Sequence, residues 1–167
     1  MLEKYKSAPK PLSLSFVLRH PAHLVATGFG AGLARPAPGT WGALLGVLLY
    51  ALASGLLAKP VLMGLAVAIL VVGTWATHVT GRNAGVHDHP GIVVDEILGV
   101  WIAALLAPQG LIWLAAAFGF FRFFDIVKVF PANYFDAKVS NAFGVMADDA
   151  VAGLYAGLAC MAVDLLW

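Results

Sequence analysis

The sequence predicts an all-α integral membrane protein: a small polytopic bundle of about four to five transmembrane helices plus an N-terminal interfacial or re-entrant helix. Three observations carry that expectation. Hydrophobic residues fill 61% of the 167 positions and charged residues only 11%, at a mean hydropathy of +0.88; so short a chain has no soluble core large enough to hide that much apolar surface, and a bilayer is the solvent it suits. Uncharged apolar runs recur along the chain. The breaks between them are Pro, Gly and charged residues, which stop helices.

Taken in order, residues 1–15 form a polar tail whose charges and prolines precede no apolar stretch of the signal-peptide kind. Residues 16–33 carry Arg19, His20, His23 and closely placed Gly and Ala, too polar at the start for a span, and lie in the interface or re-enter the membrane. The first span is 40–58, uncharged, introduced by Pro36 and Pro38 and stopped at Lys59-Pro60. Residues 61–77 return antiparallel and end near His78 and Arg82. A third helix over 92–107, the turn Pro108-Gln109-Gly110, a fourth helix from 111 to about 129 and a fifth over 142–167 complete one domain, 1–167, without internal repeats.

In that five-span arrangement Lys4, Lys6, Lys10, Arg19, Arg35, Arg82, Arg122, Lys128 and Lys138 share one side and Lys59 stands alone on the other, so the first side is cytoplasmic. A formal net charge of +1 and the lack of any long Lys/Arg run give no case for nucleic acid. The single cysteine, Cys160, lies in an apolar run, which excludes a disulfide framework and a thiolate zinc site and leaves helix packing.

Seven of the nine acidic residues, Asp88, Asp95, Glu96, Asp125, Asp136, Asp148 and Asp149, sit at or near the ends of apolar segments on the same side. An ion in lipid costs roughly 2.5–3.5 kcal/mol by insertion scales, so such a gathering requires counter-ions, a metal or a substrate. On the fourth helix Arg122, Asp125 and Lys128 recur every three residues on one broad face, among Phe120, Phe121, Phe123 and Phe124. A solvated helix end with ordinary ion pairs is the plainer alternative. In Asp95-Glu96 and Asp148-Asp149, neighbours are turned about 100° apart, so one member of each pair faces a shared site and the other a supporting partner. Facing carboxylates call for a cation, and oxygen-only ligation suits Mg²⁺; the helix dipole accounts for either pair taken alone. His87-Asp88-His89-Pro90 lacks a closed zinc set and reads as an exposed polar loop with Asp88 its more interesting member. Pro38-Gly39-Thr40 offers either an amide cradle for an anion, with Thr40 beside a phosphate, or a simple N-cap.

Four ordered segments carry a resemblance: Gly28-Phe-Gly with Pro38-Gly-Thr; Asp88 with Ile92-Val-Val-Asp95-Glu96-Ile-Leu-Gly99; Phe121-Arg122-Phe-Phe-Asp125-Ile-Val-Lys128; and Gly144-Val-Met146-Ala-Asp148-Asp149-Ala-Val-Ala-Gly153. Over about 23–157 the chain resembles the phosphatidylglycerophosphatase A family. The resemblance implies a Mg²⁺-dependent phosphatase of the bacterial inner membrane. It removes the terminal phosphate of the lipid phosphatidylglycerophosphate, giving phosphatidylglycerol and inorganic phosphate, with the site facing the cytoplasm. The matched positions are Asp88, Asp95, Glu96, Arg122, Asp125, Lys128, Asp148 and Asp149. All six acids are candidate metal ligands; Arg122, Lys128 and Thr40 are candidates for substrate phosphate. Asp95, Glu96, Arg122, Asp125, Lys128 and Asp149 form the expected catalytic set. The chain departs from the family pattern at Val129, where proline is usual, and at Asn141-Ala142-Phe143, where paired glycines are usual. A transporter using the same acids as an ion path is the alternative; a transferase of the CDP-alcohol type lacks its Asp-rich signature here. Oligomeric state is left open.

Overall fold

The computed structural model describes residues 12–86, 88–132, 134, 139 and 141–166. Most of the polar tail, His87, Asp136 and Lys138 lie outside the described residues. Seven α-helices and no strands occur among the described residues: α1 (Leu14–Val17), α2 (Pro21–Ala26), α3 (Pro38–Ser54), α4 (Lys59–Ala84), α5 (Val94–Leu106), α6 (Leu111–Val127) and α7 (Ala142–Leu166), with a 3₁₀ turn at Ala31–Leu33. The segment expected as one interfacial or re-entrant helix is thus two short helices and a turn. Pro21 starts the second of these, and Gly28, Phe29 and Gly30 at φ 55°, 54° and 98° turn the chain after it.

Helix limits follow local chemistry. Pro60 sits in the first turn of α4, where its missing N–H costs nothing, so Lys59-Pro60 opens this helix while α3 stops earlier, at Ser54. At its other end α4 runs past the expected limit, 77, to Ala84. Thr77, Thr80 and Gly81 are buried there, and Gly85 at φ 77° closes the helix by donating to the Arg82 carbonyl.

The central element is α5. Ten of its 13 residues are buried, and at 1.5 Å per residue it is about 20 Å long, shorter than a bilayer core. The expected third span is therefore an enclosed post rather than a lipid-facing rod. Around it, α3 and α7 run in the same direction and α4 and α6 run against it. Two helices, Lys59–Ala84 and Ala142–Leu166, are long and apolar enough to cross a membrane.

Small residues fix the crossings. A Cβ on Gly99 would strike the Phe121 ring, and one on Gly153 would strike the Gly99 carbonyl, so α5 and α7 pack backbone to backbone. Gly46 and Gly42 of α3 meet Val100 and Val93 in the same way. Val100, Phe121, Ala152 and Cys160 form the adjacent core, and Cys160 is fully buried within it, in agreement with a packing role.

On the other flank His23 of α2 reaches α4. Its Nδ1 lies 2.9 Å from Thr80 Oγ1, and its Nε2 lies 3.2 Å from the Asn83 amide nitrogen. With Asn83 donating, the imidazole is neutral and protonated on Nδ1. Burial first, and neighbouring His20 second, hold the His23 ring below the ordinary imidazole range. Val93 N–H then donates to the Ala26 carbonyl at 2.8 Å, so this clamp also fixes the entry to α5.

Candidate metal centre

Asp95 and Glu96 lie in the first turn of α5, and Asp149 lies about two turns into α7. Each sits four residues, or one turn, ahead of a glycine of the α5–α7 crossing: Asp95 before Gly99, and Asp149 before Gly153. The close backbone approach therefore delivers the acids to one another. One carboxylate oxygen from each of Asp95, Glu96 and Asp149 lies within 4.8 Å of the others.

The surroundings compensate this trio only in part. Asp95 and Asp149 are buried, and Asp95 Oδ1, Glu96 Oε2 and Asp149 Oδ2 are buried without a hydrogen-bond partner. Two like charges at this spacing repel by about 3–4 kcal/mol at an effective dielectric of about 20, and each unpaired buried ion costs several more. Inward-facing carboxylate oxygens, no soft donor and a gap of this size form the donor set of a hard divalent cation. The residues present fit Mg²⁺.

Two ion pairs flank the trio. Arg122 Nη1 donates to Asp125 Oδ2 at 2.5 Å and lies 4.0 Å from Glu96 Oε1. Lys128 Nζ donates to Asp148 Oδ2 at 2.7 Å. Asp148 Oδ1 also accepts from the Asp149 backbone N–H at 3.0 Å, which ties the two neighbours' positions together. Asp88 is exposed in the loop before α5, and its charge acts on Asp95; that of Asp125 acts on both Glu96 and Asp149.

Several expectations need correcting. Lys128 does not continue the helical face of Arg122 and Asp125: it ends α6 in a left-handed conformation, φ 47°, which directs it to Asp148 on α7. Asp148 turns to Lys128 and Asp149 to the trio, whereas Asp95 and Glu96, expected to face apart, both enter the trio. Thr40 is no N-cap. The cap position of α3 is Ala37, at φ 58° and without a side-chain bond, and the residue pressed on the site is Gly39, whose Cβ would collide with Glu96 Oε1 and approach Arg122 Nη1. His89 is not exposed either: it is 4% accessible, and its Nδ1 accepts from Gly91 N–H at 2.9 Å. His23 escaped the sequence reading as a site support; its spacing of three from His20 within an apolar run is the signal that marks it.

A helical bundle whose largely buried carboxylate cluster is bordered by an arginine and a lysine, each held by an acid, defines a helical protein with a candidate cation site. Comparison with known proteins places it more narrowly. Residues 24–164 match the phosphatidylglycerophosphatase A family. The chain is 44% identical over 148 residues to phosphatidylglycerophosphatase A of Haemophilus influenzae, covering 88% of this chain and 91% of that one. It is 38% identical over 142 residues to phosphatidylglycerophosphatase A of Escherichia coli, covering 82% and 80%. The chain belongs to the phosphatidylglycerophosphatase A family. No solved structure matches it.

Proposed function

We propose that this protein hydrolyses the terminal phosphomonoester of phosphatidylglycerophosphate to phosphatidylglycerol and inorganic phosphate, using Mg²⁺ at the cytoplasmic face of a bacterial inner membrane. The observation that carries the reading is the trio Asp95, Glu96 and Asp149, three acids with a buried, unpartnered oxygen apiece beside two cation-bearing side chains. Family membership supplies the substrate class.

Asp95, Glu96 and Asp149 would hold the ion, with Asp88, Asp125 and Asp148 around them. Bound there, Mg²⁺ supplies Lewis-acid polarisation of a phosphoryl oxygen and neutralises developing charge. Arg122 presents a planar fork to the phosphate, and Asp125 orients that fork. Lys128, steadied by Asp148, adds a point charge. Gly39 lets the start of α3 close directly on Glu96 and Arg122, which brings Thr40 to the border of the phosphate site. Water attacks phosphorus, the P–O bond to the head-group glycerol breaks, and a carboxylate of the cluster accepts the water proton and passes it to the departing glycerol oxygen.

Membrane embedding with α3, α4, α6 and α7 spanning and α5 enclosed fits the band of exposed apolar side chains on α3 and α4, including Leu44, Leu48, Leu52, Val67 and Val71. An ion pathway needs ionisable groups along the bundle. Among the described helical residues the Lys, Arg, Asp and Glu side chains gather at the acid end, and only Lys59 and Asp164 stand at the other.

The decisive assay is phosphate release from phosphatidylglycerophosphate in detergent, run beside phosphatidic acid. Release is expected with Mg²⁺, is abolished by EDTA and returns on adding Mg²⁺. Undiminished release in EDTA removes the metal from the reading, and equal rates on phosphatidic acid remove the head-group choice.

A further inference from the structure

We infer that an apolar groove between α2, α3, α4 and the start of α5 receives an acyl chain of the substrate whose phosphate the acid centre hydrolyses. This rests on the phosphatase reading above and adds where the tail of that substrate lies.

The groove encloses about 280 Å³. Val25, Leu49, Leu65, Ile69, Val72 and Ile97 form most of its walls, and none of the residues lining it has a side chain able to hydrogen-bond or carry charge. A polar ligand would lose its water there and gain no partner. A helix of a second chain is about 10 Å across and is too wide for the space, whereas a single hydrocarbon chain is not.

Continuity with the acid centre selects the substrate's own chain over any other. Val94 and Ile97 line the groove while Asp95 and Glu96, between them in sequence, face the trio. One turn of α5 is thus the partition between the two sites, so a molecule carrying both a phosphate and a chain can straddle it. The lip of the groove is also built. Phe29 lines it and is 74% exposed, held at φ 54° in a region that residues with side chains rarely adopt. Gly28 beneath it lies so close to Ile97 and Val93 that its Cβ would stand 3.1 Å from each. An outward-facing ring fixed by such a backbone is a guide for hydrocarbon at the groove mouth. Another apolar hollow, along Ala116, Phe120 and Phe123, is formed by α6 alone and is a furrow in its outer face.

The test compares long-chain phosphatidylglycerophosphate with its deacylated form, glycerophosphoglycerophosphate, in detergent with Mg²⁺. Ala68, exposed on the groove wall, is replaced by Phe to fill the space and by Ser as a control. Ala68→Phe should lower kcat/KM for the long-chain lipid about tenfold or more, chiefly through KM, and leave the deacylated substrate within about twofold; Ala68→Ser should match wild type on both. Equal loss on both substrates, or no loss on the lipid, overturns the groove. If Ala68→Phe does not fold, wild-type enzyme is cross-linked with phosphatidylglycerophosphate bearing a diazirine in its chain. Adducts on Leu65, Val72 or Phe29 that excess substrate competes away support the inference. Adducts on Phe120 or Phe123, or equal labelling by diazirine phosphatidylcholine that substrate does not displace, overturn it. Wild-type enzyme releasing phosphate from neither substrate overturns the phosphatase reading itself; release from both without chain preference overturns the groove alone.

Discussion

Asp148 and Asp149 are adjacent in sequence and opposite in circumstance. The first is held by Lys128, while the second meets the other two acids of the trio with a buried, unpartnered oxygen. Asp149→Asn removes a repelling charge from the trio, so without Mg²⁺ it should unfold at a higher temperature than wild type, a gain of about 1 kcal/mol or more. With Mg²⁺ it should lose on the order of 10²-fold or more in turnover. Asp148→Asn removes the charge that Lys128 meets at 2.7 Å and should lower turnover without stabilising the metal-free protein. Thermal unfolding in EDTA, set against phosphate release in Mg²⁺, separates the two. An Asp149→Asn protein less stable than wild type in EDTA, or as active in Mg²⁺, contradicts the assignment of the trio.

At the scale of helices, the site depends on how closely α5 and α7 approach. A Cβ at Gly153 meets the Gly99 backbone, which cannot yield as a flexible side chain can. Gly153→Val should therefore cost about 1–3 kcal/mol of stability and also reduce turnover, because any separation of the helices carries Asp149 away from Asp95 and Glu96. Gly64, on the outer face of α4 with nothing within 4 Å of where a Cβ would stand, is the control. Gly64→Ala should keep full activity and be slightly stabilised by helix propensity. Denaturation midpoints and phosphate release for both variants check the pair. These helices also show what the sequence makes legible. Apolar run length and the Pro and Gly breaks place α3, α6, α7 and the start of α4 to within a few residues, and the alternation of charge with phenylalanine marks Arg122 and Asp125. The end of α4 was hidden because Thr80, Gly81 and Asn83 look like loop residues until His23 and α2 are packed on them. The turn of Lys128 toward Asp148 and the pressing of Gly39 on Glu96 are facts of tertiary approach, and no spacing in the chain encodes them. The trio was legible as a pool of acids and illegible as a particular three.

For the molecule as a whole, the separation of charged and uncharged ends sets an orientation that can be measured. Helix α4 has 26 residues, about 39 Å at 1.5 Å per residue, against a hydrocarbon core of about 30 Å. Leu56, 85% exposed in the turn before α4, and Arg82, exposed near its end, therefore emerge on opposite faces if the helix crosses. Cys160 is fully buried, so the wild-type chain should give little reaction with a membrane-impermeant maleimide and provides the blank. In right-side-out vesicles Leu56→Cys should label and Arg82→Cys should not, and inverted vesicles should give the reverse. The acid end of the bundle, which shares its side with Arg82, would then face the compartment that holds the cell's Mg²⁺-dependent chemistry. Labelling of both positions from one side would mean that α4 does not cross, and the reversed pattern would turn the site outward and overturn the cytoplasmic assignment.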